Sequence, residues 1–178
     1  RESRRARYAL RTRVDELMID HKTLIDALHY CQETGTFTWK STKSRNTKIG
    51  SVAGALKNGY VRISIENKLY YAHRLAFLYV TGKFPDQQID HIDGNRANNS
   101  FKNLRDVSSK VNNQNVRVAR SNNASGLLGA SWNKSSNKFE SSVRIDGKKH
   151  HIGTFDDATE AHLAYVSKKR SVHAGCTI

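Results

Sequence analysis

Ile89-Asp90-His91-Ile92-Asp93-Gly94-Asn95 is the stretch that constrains the fold most strongly. Its first residues are typical of the end of a strand, and Asp93-Gly94 is typical of the tight turn that follows. Asn103 lies twelve residues beyond His91, and Asn112 lies nine residues beyond Asn103. A strand, a loop, a second strand and a helix would turn these side chains inward. The spacing therefore predicts one site built from a histidine, an acid and two amides.

The side chains of this site suit hydrolysis of a phosphate ester with the help of a metal ion. Imidazole is plentiful in its neutral form near pH 7, so His91 can take a proton from the attacking water. The amide carbonyl of Asn103 can hold one ring nitrogen so that the other faces that water. Asp90 and Asn112 offer hard oxygen ligands, which suit Mg²⁺, or Mn²⁺ as the alternative, better than zinc. We therefore assign catalysis to His91 and Asn103, and metal binding to Asp90 and Asn112.

Neighbouring residues leave some assignments open. Asn113 and Asn115 lie beside Asn112, although the spacing favours Asn112. His73 stands at a predicted helix start, where a histidine is either structural or part of the site. Arg105 is either a contact to a DNA phosphate or part of a solvated face.

The composition favours a polyanionic partner. The 178 residues carry 30 Lys and Arg against 16 Asp and Glu, a formal net charge of +14. Such a surplus drives association with nucleic acid through counterion release, although a ribosomal or other soluble basic protein is the alternative. Cys31 and Cys176 are isolated, which excludes a four-cysteine structural zinc site. No segment resembles a signal peptide or a membrane span, so we expect an intracellular, cytoplasmic protein that does not bind a membrane.

Periodicity and turn signals outline the other elements. The predicted elements are a basic helix or arm over 1–22, a helical segment over 23–30, strands over 36–39, 59–65 and 69–72, helices over 73–80 and 105–118, strands over 128–133, 139–145 and 149–155, and a helix over 157–173. Small polar residues at 121–126 predict a linker between two modules. The last helix should lie on a sheet through a small-residue face formed by Ala158, Ala161, Leu163, Ala164 and Tyr165.

The first module resembles a known family in several separated motifs. Ile89–Asn95, Asn98-Asn99, Asn103-Leu104-Arg105 and Asn112 resemble the ββα-metal motif of HNH endonucleases, particularly the phage and intron-encoded homing type. Upstream, Glu33–Trp39 and Ala72–Leu75 resemble the N-terminal half of phage HNH proteins, so the likeness covers about residues 23–118. It implies the same roles for the site residues, a double-stranded DNA substrate, and products with 5′-phosphate and 3′-hydroxyl ends. Many HNH enzymes end the motif with His, and Asn112 resembles the Asn-ending subgroup.

Residues 125–171 resemble a second family, the APETALA-type DNA-binding domain of plant ethylene-response factors. The likeness rests on Gly126–Trp132, Val143-Arg144-Ile145 and Ile152–Asp156. One face of a three-stranded sheet can enter the major groove. The positions that match the plant contact face are Ser131, Asn133, Ser142, Arg144, Lys149 and His151. Arginines common in the first plant strand are replaced by Ser131 and Asn133, so the plant base specificity is not carried over. The alternative is a sheet that only packs on its helix.

These patterns predict an α+β fold, with a ββα-metal HNH nuclease domain followed by a small three-stranded antiparallel sheet packed on one helix. The expected organisation is a basic N-terminal helix or arm at 1–22, a nuclease domain at 23–120, a linker at 121–126 and a DNA-binding domain at 127–173. We expect a metal-dependent DNA endonuclease of the homing or phage mobile-element type, active as a monomer or homodimer in the host cell. The alternative is a non-catalytic DNA-binding regulator on the same scaffold.

Overall fold

A computed structural model describes residues 18–41 and 47–178 of the chain. This part of the chain divides into two compact units. Unit 1 contains the described residues up to Pro85 together with Arg96–Leu104, and unit 2 contains Asp86–Asn95 and Arg105–Ile178. The predicted domain boundaries do not coincide with these units and stay a proposal, and the predicted N-terminal arm lies almost entirely outside the described residues. No helix in the described ranges is long and apolar enough to cross a membrane.

Unit 1 combines small antiparallel sheets with helices. Its described elements are α1 (His21–Ala27), β1 (Leu28–Cys31), β2 (Thr36–Trp39), β3 (Ala55–Lys57), β4 (Tyr60–Ile65), β5 (Lys68–Tyr71), α2 (Ala72–Thr81) and a 3₁₀ turn at Phe101–Asn103. Strand β1 pairs with β2, and β4 lies between β3 and β5. Leu24, Leu28, Ile63 and Leu75 are fully buried and form the core of this unit.

The first helix of unit 1 differs from its prediction. Asp20 caps the helix in place of Thr23, because its carboxylate accepts a hydrogen bond of 2.6 Å from the Thr23 amide. The same hydrogen bond lowers the pKa of Asp20. The predicted continuation of the helix to Tyr30 is wrong, since Leu28 and Tyr30 belong to strand β1, where both are buried. The predictions of β2, of the β4–β5 hairpin and of α2 are confirmed.

Unit 2 contains the strand that carries Asp90 and His91, together with the predicted second module. Its elements are β6 (Gln88–His91), β7 (Leu104–Val107, which begins at the last residue of unit 1), α3 (Ser109–Gln114), β8 (Ala130–Asn133), β9 (Lys138–Ile145), β10 (Lys148–Phe155) and α4 (Ala158–Val172). Strands β8, β9 and β10 form an antiparallel sheet with β9 in the centre, and α4 packs against it through Ala161. The predicted three strands and final helix are confirmed, but Leu163 is 62% exposed and does not face the sheet.

The predicted helix over 105–118 is wrong over much of its length. Residues Leu104–Val107 form strand β7, which pairs with β6, and the helix is limited to Ser109–Gln114. The Ser108 hydroxyl caps this short helix by accepting a hydrogen bond of 3.3 Å from the Val111 amide. Pairing with a distant strand overrides a weak helical periodicity here. The order strand, turn, strand and helix agrees with the predicted order, while the ββα-metal geometry stays a prediction.

Residues 121–126, predicted as a linker, form hydrogen-bonded turns. The side-chain nitrogen Nδ2 of Asn123 donates to the Leu127 carbonyl oxygen at 2.9 Å. The Ser125 hydroxyl donates to the Ala130 carbonyl oxygen at 2.7 Å. These bonds attach the segment to the start of β8.

Candidate active site and nucleic-acid interface

Strand β6 carries the two central residues of the predicted site. Asp90 and His91 are each 5% exposed, so both lie buried at the end of the strand. The turn that follows is closed by the Gly94 amide, which donates to the His91 carbonyl oxygen at 2.8 Å. Gly94 has φ of +76°, and a Cβ atom at this position would lie 2.5 Å from Cδ of Arg117. The turn therefore requires glycine.

Two side chains of unit 2 hold the Asp90 carboxylate. Arg105 donates from Nε and Nη2 to Asp90 Oδ2 at 2.9 and 2.7 Å. Asn115 Nδ2 lies 3.1 Å from both carboxylate oxygens. The guanidinium compensates a negative charge that is almost removed from water. Because Arg105 is already engaged inside the unit, its predicted contact to a DNA phosphate stays a prediction.

The predicted metal ligand Asn112 lies on α3. Its Nδ2 donates to Oε1 of Gln88 on β6 at 2.8 Å, so the bond uses the amide nitrogen and not the oxygen that would bind a metal ion. The oxygens of Asp90 and Asn112 are the type of donor that Mg²⁺ and Mn²⁺ prefer. Asp90 Oδ1 accepts a hydrogen bond from Asn115, while Arg105 donates to Oδ2. The donor set thus fits a divalent cation in its chemistry. Within residues 18–41 and 47–178, no group of three or more His, Cys, Asp and Glu is arranged to hold a metal ion.

Asn103 is the one predicted site residue that belongs to unit 1. It ends the 3₁₀ turn, is 7% exposed, and donates from Nδ2 to the Asn98 carbonyl oxygen at 2.8 Å. This bond defines the orientation of the Asn103 amide. Asp90, His91 and Asn112 all lie in unit 2.

The loop that leads to Asn103 is held by the β1–β2 hairpin of unit 1. The Tyr30 hydroxyl donates to the Asn99 carbonyl oxygen at 2.6 Å, and the Phe101 amide donates to the Gln32 carbonyl oxygen at 2.8 Å. Gly35, in the hairpin turn, has φ of +73°, and a Cβ atom there would lie 2.2 Å from the backbone carbon of Asn99. The hairpin turn and the loop are therefore in direct backbone contact.

His73 lies among aromatic side chains of unit 1. Its ring centroid is 5.5 Å from that of Tyr60 and 5.4 Å from that of Tyr71. The residue is 9% exposed. This packing favours the structural interpretation of His73 over membership of the site.

The six predicted DNA-contact residues of the second module share one face of the β8–β9–β10 sheet. Opposite residues of antiparallel strands point to the same side, as do residues two apart on one strand. The pairs on this face are Arg144 with Lys149, Ser142 with His151, Ser131 with Glu140, and Asn133 with Lys138. The other face carries the buried side chains of Ala130 and Val143, against which α4 packs.

A cleft of about 820 Å³ in unit 2 adjoins this sheet and α3. Four cationic side chains line it: Lys110, Arg120, Arg144 and Lys149. Lys110 forms an exposed ion pair of 2.7 Å with Asp146, and this partner lowers the pKa of the Asp146 carboxyl. The surplus of positive charge makes the cleft suitable for a polyanion.

Comparison with known proteins relates the strand β6 region to a family. Residues 70–114 match the family model described as HNH endonuclease. An HNH endonuclease domain therefore lies in this stretch. Protein 3.8 of Escherichia phage T7 is 41% identical over 68 residues, which are 38% of this chain and 55% of the phage protein. The chain thus spans about half the length of the curated relative that it matches, and no solved structure matches it.

The matched HNH stretch contains Asp90, His91, Asn103 and Asn112, whereas two residues that contact the end of β6 lie outside it. Asn115 Nδ2 donates to the His91 carbonyl oxygen at 2.9 Å, and Asn115 Oδ1 accepts a hydrogen bond from the Thr177 hydroxyl. From the sequence, Asn115 is only an alternative to Asn112 as a metal ligand, because it lies in the same amide-rich segment. Thr177 lies 62 positions from Asn115, and no sequence motif connects it to the site.

Proposed function

We propose that the protein is a metal-dependent DNA endonuclease in which His91 is the general base. The observation that carries this proposal is the Asp90-His91 pair, buried at the end of β6 inside the stretch that matches the HNH endonuclease family. General-base catalysis requires an imidazole held in one position, and the His91 backbone is anchored by Asn115 at 2.9 Å.

The proposed roles follow the HNH resemblance residue by residue. His91 takes a proton from the water that attacks the phosphorus, and Asn103 orients the imidazole ring through its amide oxygen. Asp90 and Asn112 would hold Mg²⁺ or, alternatively, Mn²⁺. When bound, such a cation stabilises the charge that develops on the phosphate and on the leaving 3′ oxygen. The expected products carry 5′-phosphate and 3′-hydroxyl ends.

We also propose that the β8–β9–β10 sheet is the DNA reader, as in the APETALA-type domain that it resembles. The proposal is supported by the single face that holds Arg144, Lys149 and His151, and by the cationic cleft beside it. A reader attached to the nuclease raises the local concentration of the catalytic site at nearby phosphates. The phage relative supports a phage or mobile-element context, and homing remains part of the proposal.

The central experiment is cleavage of supercoiled plasmid DNA by the wild-type chain and by His91→Ala in the presence of Mg²⁺. We expect His91→Ala to lower the cleavage rate by about 10² to 10⁴, with nearly unchanged DNA affinity, because a general base acts in the transition state. The control is His29→Ala, which changes an exposed histidine of β1. Cleavage by His91→Ala at the wild-type rate would contradict the assignment.

A second experiment tests the metal ligands on α3. Mg²⁺ titration of cleavage by Asn112→Ala should shift to higher concentration, because one oxygen ligand is removed. Asn113→Ala, one residue further along the same helix, is the matched control and should titrate like the wild type. Identical curves for both variants would place the ligands elsewhere.

One observation favours the second candidate, a DNA-binding regulator without catalytic activity. Arg105 neutralises the Asp90 carboxylate at 2.7 Å and thereby competes with a metal ion for it. Sequence-selective DNA binding, without nicking in either Mg²⁺ or Mn²⁺, would identify this candidate.

A further inference from the structure

The segment that follows α4 contacts α3 and the region around strand β6 within unit 2. The Gly175 amide donates to Gln114 Oε1 at 3.0 Å, and the Gly175 carbonyl oxygen accepts from Arg105 Nη2 at 2.9 Å. A Cβ atom at Gly175 would lie 2.3 Å from the Val111 carbonyl oxygen. Residues 175–177, here named the clasp segment, thus lie directly against α3 and touch the partner of Asp90.

The hydrogen bonds of Asn115 determine which way its amide points. The Asp90 carboxylate and the His91 carbonyl oxygen both accept, so the nitrogen of the amide must face them, at 3.1 and 2.9 Å. The oxygen of the amide then faces the clasp segment, where it requires a donor. The Thr177 hydroxyl is that donor.

The single proton of the Thr177 hydroxyl has two acceptors within reach. Besides Asn115 Oδ1, the Ile92 carbonyl oxygen lies 2.7 Å from Thr177 Oγ1. Ile92 already receives a hydrogen bond of 2.8 Å from Arg117 Nη2, whereas Asn115 Oδ1 depends on Thr177. When Thr177 donates to Asn115 and Arg117 donates to Ile92, each of these two acceptors has a donor.

Helix α4 fixes the loop around Asn115 from the other side. Lys169 is 1% exposed, and its Nζ donates to the Val116 carbonyl oxygen at 2.5 Å. Arg117 Nη2 donates to the Thr177 carbonyl oxygen at 2.7 Å. Lys169 and Arg117, which lie outside the HNH family match, therefore hold the loop and Thr177 in place. Gln114 and Arg105, inside the match, hold the clasp segment at Gly175.

We propose that Thr177 is a positioning residue, which acts through Asn115 to hold Asp90 and the His91 backbone in their working arrangement. Without a donor at Thr177, the buried Asn115 amide oxygen is left without a hydrogen bond, so the Asn115 side chain is less firmly held. Its hydrogen bonds to Asp90 and to the His91 carbonyl oxygen then lose support, and the end of β6 becomes less well ordered. The proposal rests on the proposed function, because the arrangement matters for catalysis only if His91 and Asp90 are the site.

The test compares Thr177→Val, which keeps the shape and removes the hydroxyl, with Thr177→Ser, which keeps the hydroxyl. We expect Thr177→Val to lower kcat of Mg²⁺-dependent cleavage about tenfold with little change in KM, and Thr177→Ser to restore it. Ser171→Ala is the control, since it removes an exposed hydroxyl that donates to the Lys168 carbonyl oxygen at 2.8 Å. A wild-type kcat for Thr177→Val overturns the proposal.

A second readout needs neither metal nor DNA. The side-chain NH₂ resonances of Asn115, assigned with Asn115→Ser, should be protected from exchange in the wild type and in Thr177→Ser, and lose protection in Thr177→Val. Loss of protection together with reduced kcat supports the proposal, and loss of protection with unchanged kcat overturns it. If the wild type cleaves no DNA, the proposed function fails separately, and the NH₂ signals alone decide whether Thr177 orients Asn115.

Discussion

The two halves of the HNH motif are held in place by different kinds of contact. In unit 1, the loop before Asn103 is fixed by the β1–β2 hairpin, through a buried tyrosine hydroxyl and the close approach of two backbones at Gly35. In unit 2, the end of β6 is fixed by side chains that hydrogen-bond to Asp90 and to the His91 and Ile92 carbonyl oxygens.

The first kind of contact is steric, and the second kind consists of hydrogen bonds between buried polar groups. The contact at Gly35 depends on the absence of a side chain, so any larger residue disturbs it sterically. The contacts around Asp90 depend on each donor having an acceptor, so loss of one partner leaves a buried polar group unsatisfied. A substitution at Gly35 should therefore destabilise unit 1 through steric overlap, and removal of a partner around Asp90 should destabilise unit 2 through an unpaired polar group.

The largest effect should come from Gly35→Ala. Its Cβ would meet the Asn99 backbone at 2.2 Å, in a turn with φ of +73°. We expect a loss of about 3 to 4 kcal/mol in the free energy of unfolding, measured by urea denaturation. Gly50→Ala is the matched control, because Gly50 has φ of +80° but no atom within 4 Å of the added Cβ. Equal losses for both variants would show that backbone conformation, and not the contact with Asn99, sets the effect.

The counterpart in unit 2 is Lys169→Ala, with a smaller expected effect. The substitution removes a fully buried side chain and leaves the Val116 carbonyl oxygen without its donor. Burial lowers the pKa of the Lys169 ammonium, because desolvation disfavours its charged form, and this cost opposes the stabilisation that its hydrogen bond provides. We expect a loss of about 2 to 3 kcal/mol by thermal or urea unfolding. Lys168→Ala, at the exposed neighbouring position, should change little, and a similar loss there would point to helix propensity instead.

The next prediction concerns the sheet of unit 2, where an exposed side chain should affect DNA binding and not the stability of the fold. Arg144→Ala should weaken DNA binding by about 1 to 2 kcal/mol and reduce selectivity, with unchanged stability, as measured by fluorescence anisotropy on specific and random duplexes. Lys148→Ala removes an equally exposed charge from the opposite face, since Lys148 pairs with Ile145. Equal weakening by both variants would mean that total charge, and not this face, determines binding.

The smallest expected effect is at the start of α4, the helix that packs against the β8–β9–β10 sheet and contacts the loop around Asn115. Hydrogen bonds with Thr159 and with the Glu160 amide lower the pKa of Asp157 below its usual 3.8. A lowered pKa in the folded state means that the stabilisation is complete above the unfolded value and is lost as the pH falls through the folded value. The difference in Tm between wild type and Asp157→Asn should therefore be small and positive at neutral pH and disappear in acid. A pH-independent difference would contradict the electrostatic origin.

Several elements could be predicted from local sequence because their determinants are local. The alternation in Thr36–Trp39 and in residues 139–155 predicted strands, and the register then put the proposed reader residues on one face. The prediction of a helix over 105–118 was wrong because few apolar residues supported it, and residues 104–107 pair with β6 as a strand instead. The cap at Asp20 was missed because Thr23 is also a favoured capping residue and lies next to the apolar pattern.

Turn chemistry and residue spacing are local properties, so the Asp90-His91 pair, the glycine turn after it and the spacing to Asn103 and Asn112 can be recognised from the sequence alone. The ion pair of Arg105 with Asp90 and the hydrogen bond from Asn115 to the His91 backbone arise only from the folded arrangement. The same is true of the hydrogen bond from the Thr177 hydroxyl to Asn115 Oδ1, which spans 62 positions of the sequence. Such contacts join residues that share no local pattern, because a hydrogen bond depends on where folding brings two groups together and not on their distance along the chain.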